Sequence, residues 1–503
     1  MSKDFLTSIS TNIFSWTVIL LFIPIFRLFF RLQKKTSSEK NDSQNPTIPW
    51  APGAVPILGH ALQYRENPEK FLVNIYSQFG TNFQLNLAGR YMTLICGPRD
   101  QRKIATSPES IMSARTAVAE LGFEQTLGKR NVSGESIDFL KKAIKSVWHK
   151  DPSGQVQGWK RAIERAMEKE VAASNAEKLD FLHLNRRVLL RAVIEHMICP
   201  EMLDKSKWDD GFDFLHEYMN FQDMLEDVTA KAGVIHRCIA LPIFLWPAQR
   251  RRLHLQKKIE QHLKLHILHD TSAKTGFWLH EMIKNKFNAP EIAEFTIALL
   301  FAAHKNPSIA SSQAYLMLHE RGTTGDQMAC KEEAQKLLKD SNILLQSSVD
   351  SKLNKLCLEV LRLTAHSIGG VRKVEKAFFL EGRSSTSKKV LIPKGTTIAC
   401  AHITSSLDSK FWKNPHTLDL NRSIELYQNE YIFTTFSHGI HKCPGQNIAL
   451  VMMKLVTSIL LVNYDVILPE KVPSVSFQRN TLAQRAYPVL VQIAKNIEFE
   501  TNY

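Results

Sequence analysis

A mostly helical chain, with small β-regions flanking a helical body and an apolar segment near its start, is predicted by three observations. Residues 5–26 contain no charged side chain. The long middle, from about residue 108 to residue 346, repeats apolar positions at helical spacing with charged faces between them. β-prone runs bracket that body, at residues 82–96 and again at residues 390–398.

The 22 uncharged residues at the start, rising about 1.5 Å each in a helix, reach the roughly 30 Å of a bilayer's hydrocarbon layer. Residues 1–35 are therefore expected to form a membrane anchor. Arg27, Arg31, Lys34 and Lys35 follow the apolar run and Lys3 precedes it, a bias that leaves the bulk of the chain in the cytosol. A cleaved signal peptide is the alternative; the length of the run and the lack of a small-residue cleavage site speak against it. Residues 36–45 are polar, and Pro46, Pro49, Pro52, Gly53 and Pro56 then crowd together, where fixed φ and missing amide donors make a stiff, non-helical arm. Residues 36–56 read as tether and hinge, and residues 57–503 as one folded body.

Within that body, residues 82–87 and 91–96 are β-rich runs separated by Ala88-Gly89-Arg90, which predicts a hairpin closed by Pro98. A second hairpin is expected at residues 390–398, where Pro393-Lys394-Gly395 separates two β-prone runs. Residues 446–464 place Ile448, Val451, Met452, Leu455 and Ile459 at helical spacing and predict an apolar helix.

Composition narrows the function. Hydrophobic residues make up 44% of the chain, enough for a sizeable core. The seven cysteines (Cys96, Cys199, Cys238, Cys330, Cys357, Cys400 and Cys443) include no close pair and no CxxC. That spacing argues against a structural zinc site or a disulfide scaffold, and an odd number suits a reducing compartment. The formal net charge of +15 comes without basic runs interleaved with aromatics or any nucleic-acid motif. A basic face toward an anionic membrane or an acidic electron-donor protein accounts for it better.

The stretch Phe436-Ser437-His438-Gly439-Ile440-His441-Lys442-Cys443-Pro444-Gly445 carries the chemistry. Gly439 permits a sharp turn and Cys443 stands just before the helix of residues 446–464, whose dipole is expected to favour a thiolate. Phe436 can shield the sulfur. This segment resembles the cysteine loop of the cytochrome P450 family, with His441 where members most often have Arg. The resemblance implies that Cys443 is the axial thiolate ligand of haem b iron, with Phe436, Gly439 and His441 shaping its setting. It makes residues 57–503 a haem-thiolate catalytic domain of the membrane-bound eukaryotic type, mostly α.

Further residues follow from the same resemblance. Glu359 and Arg362, one helical turn apart and 84 residues before Cys443, match the family's Glu-x-x-Arg pair, and Arg422 stands where the family has an Arg that joins it. These three are expected to be structural. Arg372, after Gly369-Gly370, is the expected cationic partner of a haem propionate. The family's Trp and Arg from an N-terminal-side helix are not found; Lys142 and Lys145, on a run ending at Trp148, are weak substitutes. Residues 298–308 resemble the helix that crosses the distal face of the haem, but Lys305 and Asn306 replace the usual acid and Thr, as in the branch containing sterol hydroxylases and prostacyclin synthase. Pro307 should distort that helix. Asn306 and Ser308 are the expected catalytic residues over the iron.

These features imply a monooxygenase that oxidises a lipophilic small molecule (a sterol, terpenoid or other secondary metabolite) with O2, taking NADPH electrons through a reductase partner. The implied location is a single pass of the endoplasmic reticulum membrane with the catalytic domain cytosolic. A haem-thiolate isomerase or dehydratase acting on a peroxide, and a non-enzymatic membrane haem-binding protein, remain the alternatives.

Overall fold

The computed structural model describes residues 48–80, 82–174, 177–232, 240–268, 274–345, 350–380, 389–479 and 481–496. The anchor expected in residues 1–35, most of the tether and hinge, and Cys238 lie outside them. The principal helices before the distal one are α1 Pro68–Phe79, α2 Pro98–Thr106, α3 Glu135–Lys150, α4 Pro152–Ala172, α5 Phe181–Val193, α6 Phe214–Ala232 and α7 Trp246–His266. Then come α8 Ala289–Ala303, α9 Lys305–Arg321, α10 Thr324–Lys339, α11 Lys352–Leu363 and α12 Gln446–Asn463. Their ends obey local rules. In α1, the Asn67 side chain accepts the Lys70 N–H, Pro68 occupies the first helical position, and Gly80 ends the helix at φ 64°.

Strands β1 Phe83–Leu87 and β2 Arg90–Ile95 form the first expected hairpin, antiparallel, turned by Ala88 (φ 51°) and Gly89 (φ 92°). With β3 Met112–Ser113, β4 Gly369–Val374, β5 Phe378–Leu380, β6 Val390–Ile392 and β7 Thr397–Cys400, the chain builds a five-stranded sheet in the order β1-β2-β7-β4-β3 and a separate pair β5-β6. The second expected hairpin is corrected by this topology. β6 pairs with β5, whereas β7 lies between β4 and, in parallel, β2. The Pro393-Lys394-Gly395 turn thus passes the chain between two sheets. Its backbone groups are taken by β4: Gly395 N–H donates to Val374 O at 2.8 Å, and Val374 N–H donates to Thr396 O at 2.9 Å. Ile398, Ala399 and Cys400 are buried, so β7 gains cover as a central strand that a two-stranded ribbon would not provide.

The core sits around α12, which packs on α4, α9, α10 and α11. Among the described residues α12 is the one helix long and apolar enough to cross a membrane, but it is mostly buried inside the body and is a core helix. Its N-terminus delivers the chain directly from the cysteine loop.

Candidate active site

The cysteine loop is closed on itself. Cys443 N–H donates to Phe436 O at 2.8 Å, and Ser437 N–H to Thr434 O at 2.9 Å. Gly439 adopts φ 61°, and a Cβ there would lie 2.2 Å from Ala105 O of α2, so no side chain fits where the loop rests on that helix. Cys443 is half-buried, while the other described cysteines are fully buried. The expected lowering of its thiol pKa is not what the fold produces on its own. Burial pushes the Cys443 thiol up, and the Gly445 N–H facing the sulfur offsets that in part. An apolar pocket disfavours a bare thiolate more than one helix end favours it.

Within this loop and against it lies a group of buried cationic and imidazole side chains, several of them under-satisfied. Arg372 on β4 is buried, spends one N–H on Val371 O at 2.9 Å, and leaves Nε without a partner. His438 is 3% exposed with neither ring nitrogen bonded, although its ring meets Tyr431 edge-on at 5.1 Å. His441 Nε2 lies 3.0 Å from Glu109 Oε1. Burial and then the neighbouring Arg372 lower the pKa of both histidines, His438 to about 4. His366 and His402 join the group, held neutral by burial at about 4 and about 3, and His402 Nδ1 contacts Thr434 Oγ1 at 2.8 Å. Lys141 on α3 and Arg115 add positive charge around His441. Lys141, one residue before the Lys142 singled out in the sequence, is thus a cation of α3 whose charge reaches His441.

Glu359, Arg362 and Arg422 meet in a buried cluster. Arg362 bonds Glu359 through Nε at 2.6 Å and Nη2 at 2.9 Å, and donates to Ser406 O and Thr417 O at 2.9 and 3.2 Å. Arg422 Nε reaches Glu359 Oε2 at 3.2 Å, the Tyr427 hydroxyl donates to Glu359 Oε1 at 2.6 Å, and Asp419 N–H donates to Oε2 at 3.1 Å. Trp412 lies under both guanidiniums, 4.9 and 6.0 Å from its ring. The cluster connects to the loop through ring contacts, from Tyr427 to Phe433 at 5.5 Å and from Phe433 to Phe436 at 6.4 Å. Thr435 Oγ1 adds a bond to Leu361 O of α11 at 3.2 Å.

The distal helix is interrupted. α8 stops at Ala303, His304 sits at φ −116°, and α9 restarts at Lys305. Pro307 then lies in the first turn of α9, where its missing N–H is tolerated, whereas in a continuous helix it would clash with the Ala303 carbonyl. Ala302 is exposed and Asn306, four residues on, is partly exposed with its Oδ1 unpartnered. Ser308 is wholly buried and returns its hydroxyl to His304 O at 2.6 Å. Lys305 is buried as well, against Asp223 and Glu226 of α6.

A family description, Cytochrome P450, matches residues 49–493. The chain belongs to the cytochrome P450 family. As a P450 it is an oxidoreductase with haem iron as its cofactor and monooxygenation as its reaction class. It is 25% identical to carnosic acid synthase of Salvia pomifera over 86% of this chain and 90% of that protein. It is 23% identical to sterol 14-demethylase of Arabidopsis thaliana over 92% and 93%. A probable lanosterol 14-alpha demethylase of Acanthamoeba polyphaga mimivirus is 20% identical over 90% of this chain, which spans 62% of that longer protein.

The residues present suit the P450 haem. A dianionic edge needs buried donors that lack partners; the orphaned Nε–H of Arg372, beside the cysteine loop, and the one ring N–H of the neutral His438, within it, supply them. His438 and Lys141 were missed in the sequence. The first falls on one of the two positions the family pattern leaves open between Phe436 and Gly439, and the second is one of several lysines on an amphipathic helix.

Proposed function

We propose that this P450 is a membrane-anchored monooxygenase that inserts one atom of O2 into a lipophilic small molecule, with NADPH electrons delivered by a reductase. The observation that carries the reading is the half-buried Cys443 in a strained, self-closed loop that holds the unpaired His438 and lies beside the unpaired Nε of Arg372. Relatives named as sterol 14-demethylase, carnosic acid synthase and ferruginol synthase point to sterol and terpenoid chemistry, which sets the proposed substrate class. Residues 1–35 anchor the chain in the endoplasmic reticulum membrane, with the catalytic body in the cytosol.

In this reading Cys443 ligates the iron, and Arg372, His438 and His441 hold the carboxylate edge of the haem. Bound haem supplies electron transfer and the activation of O2. Phe436 screens the sulfur, and Gly439 lets the loop lie against α2. Asn306 holds ordered water over the site, since its carboxamide can both donate and accept hydrogen bonds but cannot itself supply a proton. Ser308 stays with His304 O and supports the break. Glu359, Arg362 and Arg422 hold the segment before the loop in place. A largely apolar recess of ≈ 620 Å³ lies beside Phe436, rimmed by Lys336 and by Lys442 with its partner Glu430, and is the face we assign to the electron donor.

The absence of an acid at Lys305 and of a hydroxyl at Asn306 favours one second reading, a haem-thiolate isomerase that rearranges a peroxide. Product formation with labelled O2 separates the two. The monooxygenase requires NADPH, reductase and O2 and places one labelled oxygen in the product; turnover of a peroxide without NADPH or reductase establishes the isomerase. Cys443→Ala abolishes the thiolate-type carbon-monoxide spectrum under either reading.

A further inference from the structure

Three polar rungs join α6 to the interrupted distal helix. The Tyr218 hydroxyl donates to Ile297 O at 2.8 Å, the Gln222 amide to Phe301 O at 3.2 Å, and Lys305 Nζ to Glu226 Oε2 at 2.6 Å. The rungs step by four residues on both sides, 218, 222 and 226 against 297, 301 and 305, so one face of α6 runs along one face of the distal helix. Two rungs end on carbonyls of α8. The third crosses the break at His304 and holds the first residue of α9.

That third rung is the elaborate one. Lys305 Nζ also donates to Asp223 Oδ1 at 2.7 Å, and Arg186 on α5 grips both oxygens of Asp223 at 2.9 and 3.1 Å. The Lys305 side chain is 4% exposed, whereas that of Asp223 is 45% exposed. A cleft of ≈ 210 Å³ lined by Arg186, Asp223, Lys305 and Ser312 brings solvent to the cluster. An apolar residue would fill this place at a smaller desolvation cost; a buried ammonium is satisfied only with α6 in the one register that meets both carboxylates. Asn306 is the next residue along the chain, and its backbone is set by the same rung.

We propose that Lys305 is a positioning residue: through Asp223 and Glu226 it pins α6 to the start of α9 and so sets the direction in which Asn306 presents its carboxamide. The pinning is independent of the reaction; its consequence for Asn306 rests on the monooxygenase reading.

Full-length holoenzyme carrying Lys305→Met, Asp223→Asn, or the exchange Lys305→Glu with Glu226→Lys tests this by amide hydrogen exchange in residues 214–232 and by the share of NADPH electrons lost to hydrogen peroxide. Lys305→Met speeds exchange in that segment about tenfold and Asp223→Asn about threefold, as expected when a local tether is released. The charge exchange restores part of the protection, since it remakes the pair between positions 305 and 226 but sets a carboxylate toward Asp223, whose charge Arg186 takes up; a space-filling role for Lys305 would restore none. Peroxide leakage rises with exchange rate across the series while the haem content holds. Unchanged exchange in both Lys305→Met and Asp223→Asn overturns the proposal. Faster exchange with no rise in leakage overturns the link to Asn306. An enzyme that consumes no NADPH in any form overturns the monooxygenase reading instead, and the exchange data still judge the pinning.

Discussion

Two ion clusters, one around Glu359 and one around Lys305, contain the same kinds of groups and are built for different ends. At Glu359 one carboxylate faces two guanidiniums, a tyrosine hydroxyl and a backbone N–H, and the remaining guanidinium protons go to main-chain carbonyls. Neither Glu359 nor Arg362 has exposed side-chain area. At Lys305 one ammonium faces two carboxylates, and one of these, Asp223, opens to solvent. A fully satisfied, dry network is rigid and costly to break, while a network with a wet member can exchange partners. The first joins loops to the core of the fold; the second joins two helices that must keep a relative position.

The sharpest way to break this contrast is to delete the single shared group on each side. Glu359→Ala leaves two guanidiniums buried without their carboxylate and is expected to cost about 3–5 kcal/mol of stability, seen as a lower denaturation midpoint and less haem per protein. Normal haem content with lost turnover would mean that the cluster is not structural. Lys305→Met is expected to cost less, about 1–2 kcal/mol, because Asp223 keeps Arg186 and Glu226, its carboxyl already pushed up by burial, can take a proton.

Acid separates the clusters further. His304, beside Lys305, donates to Leu300 O and is held neutral by burial, with its pKa lowered to about 3. The unfolded chain binds a proton at this residue below about pH 6.5 and the folded chain does not, so the stability it contributes is complete above that pH and is lost as pH falls. The unfolding free energy of wild type is expected to drop by about 1–2 kcal/mol more than that of His304→Gln between pH 7 and pH 5. Equal drops would show that His304 is not the buried neutral group. The smallest change probes the dry cluster from its edge: Tyr427→Phe removes one hydrogen bond to Glu359 and is expected to cost about 1 kcal/mol, with haem content retained.

Much of this was legible in the chain. The Cys443 loop, the Glu359–Arg362 spacing, the hairpin of residues 83–95 and the apolar helix 446–463 are local patterns, and a turn, a one-turn pair or a period of apolar residues is decided by neighbours in sequence. The partner of β7 was not legible, because the same β-prone run fits a ribbon or a central strand until its buried faces find cover. The fate of Lys305 was hidden for a related reason. As a substitution in a distal motif it reads as a lost acid, and only tertiary packing brings Asp223 and Glu226, about eighty residues earlier, to within hydrogen-bond reach. His438 likewise gains meaning only when Arg372 comes to lie beside it. The sequence by itself determined which elements form and which chemistry the cysteine loop can offer. The tertiary structure decided which charges meet, because Coulomb and desolvation energies depend on distance and burial, and neither is written in residue order.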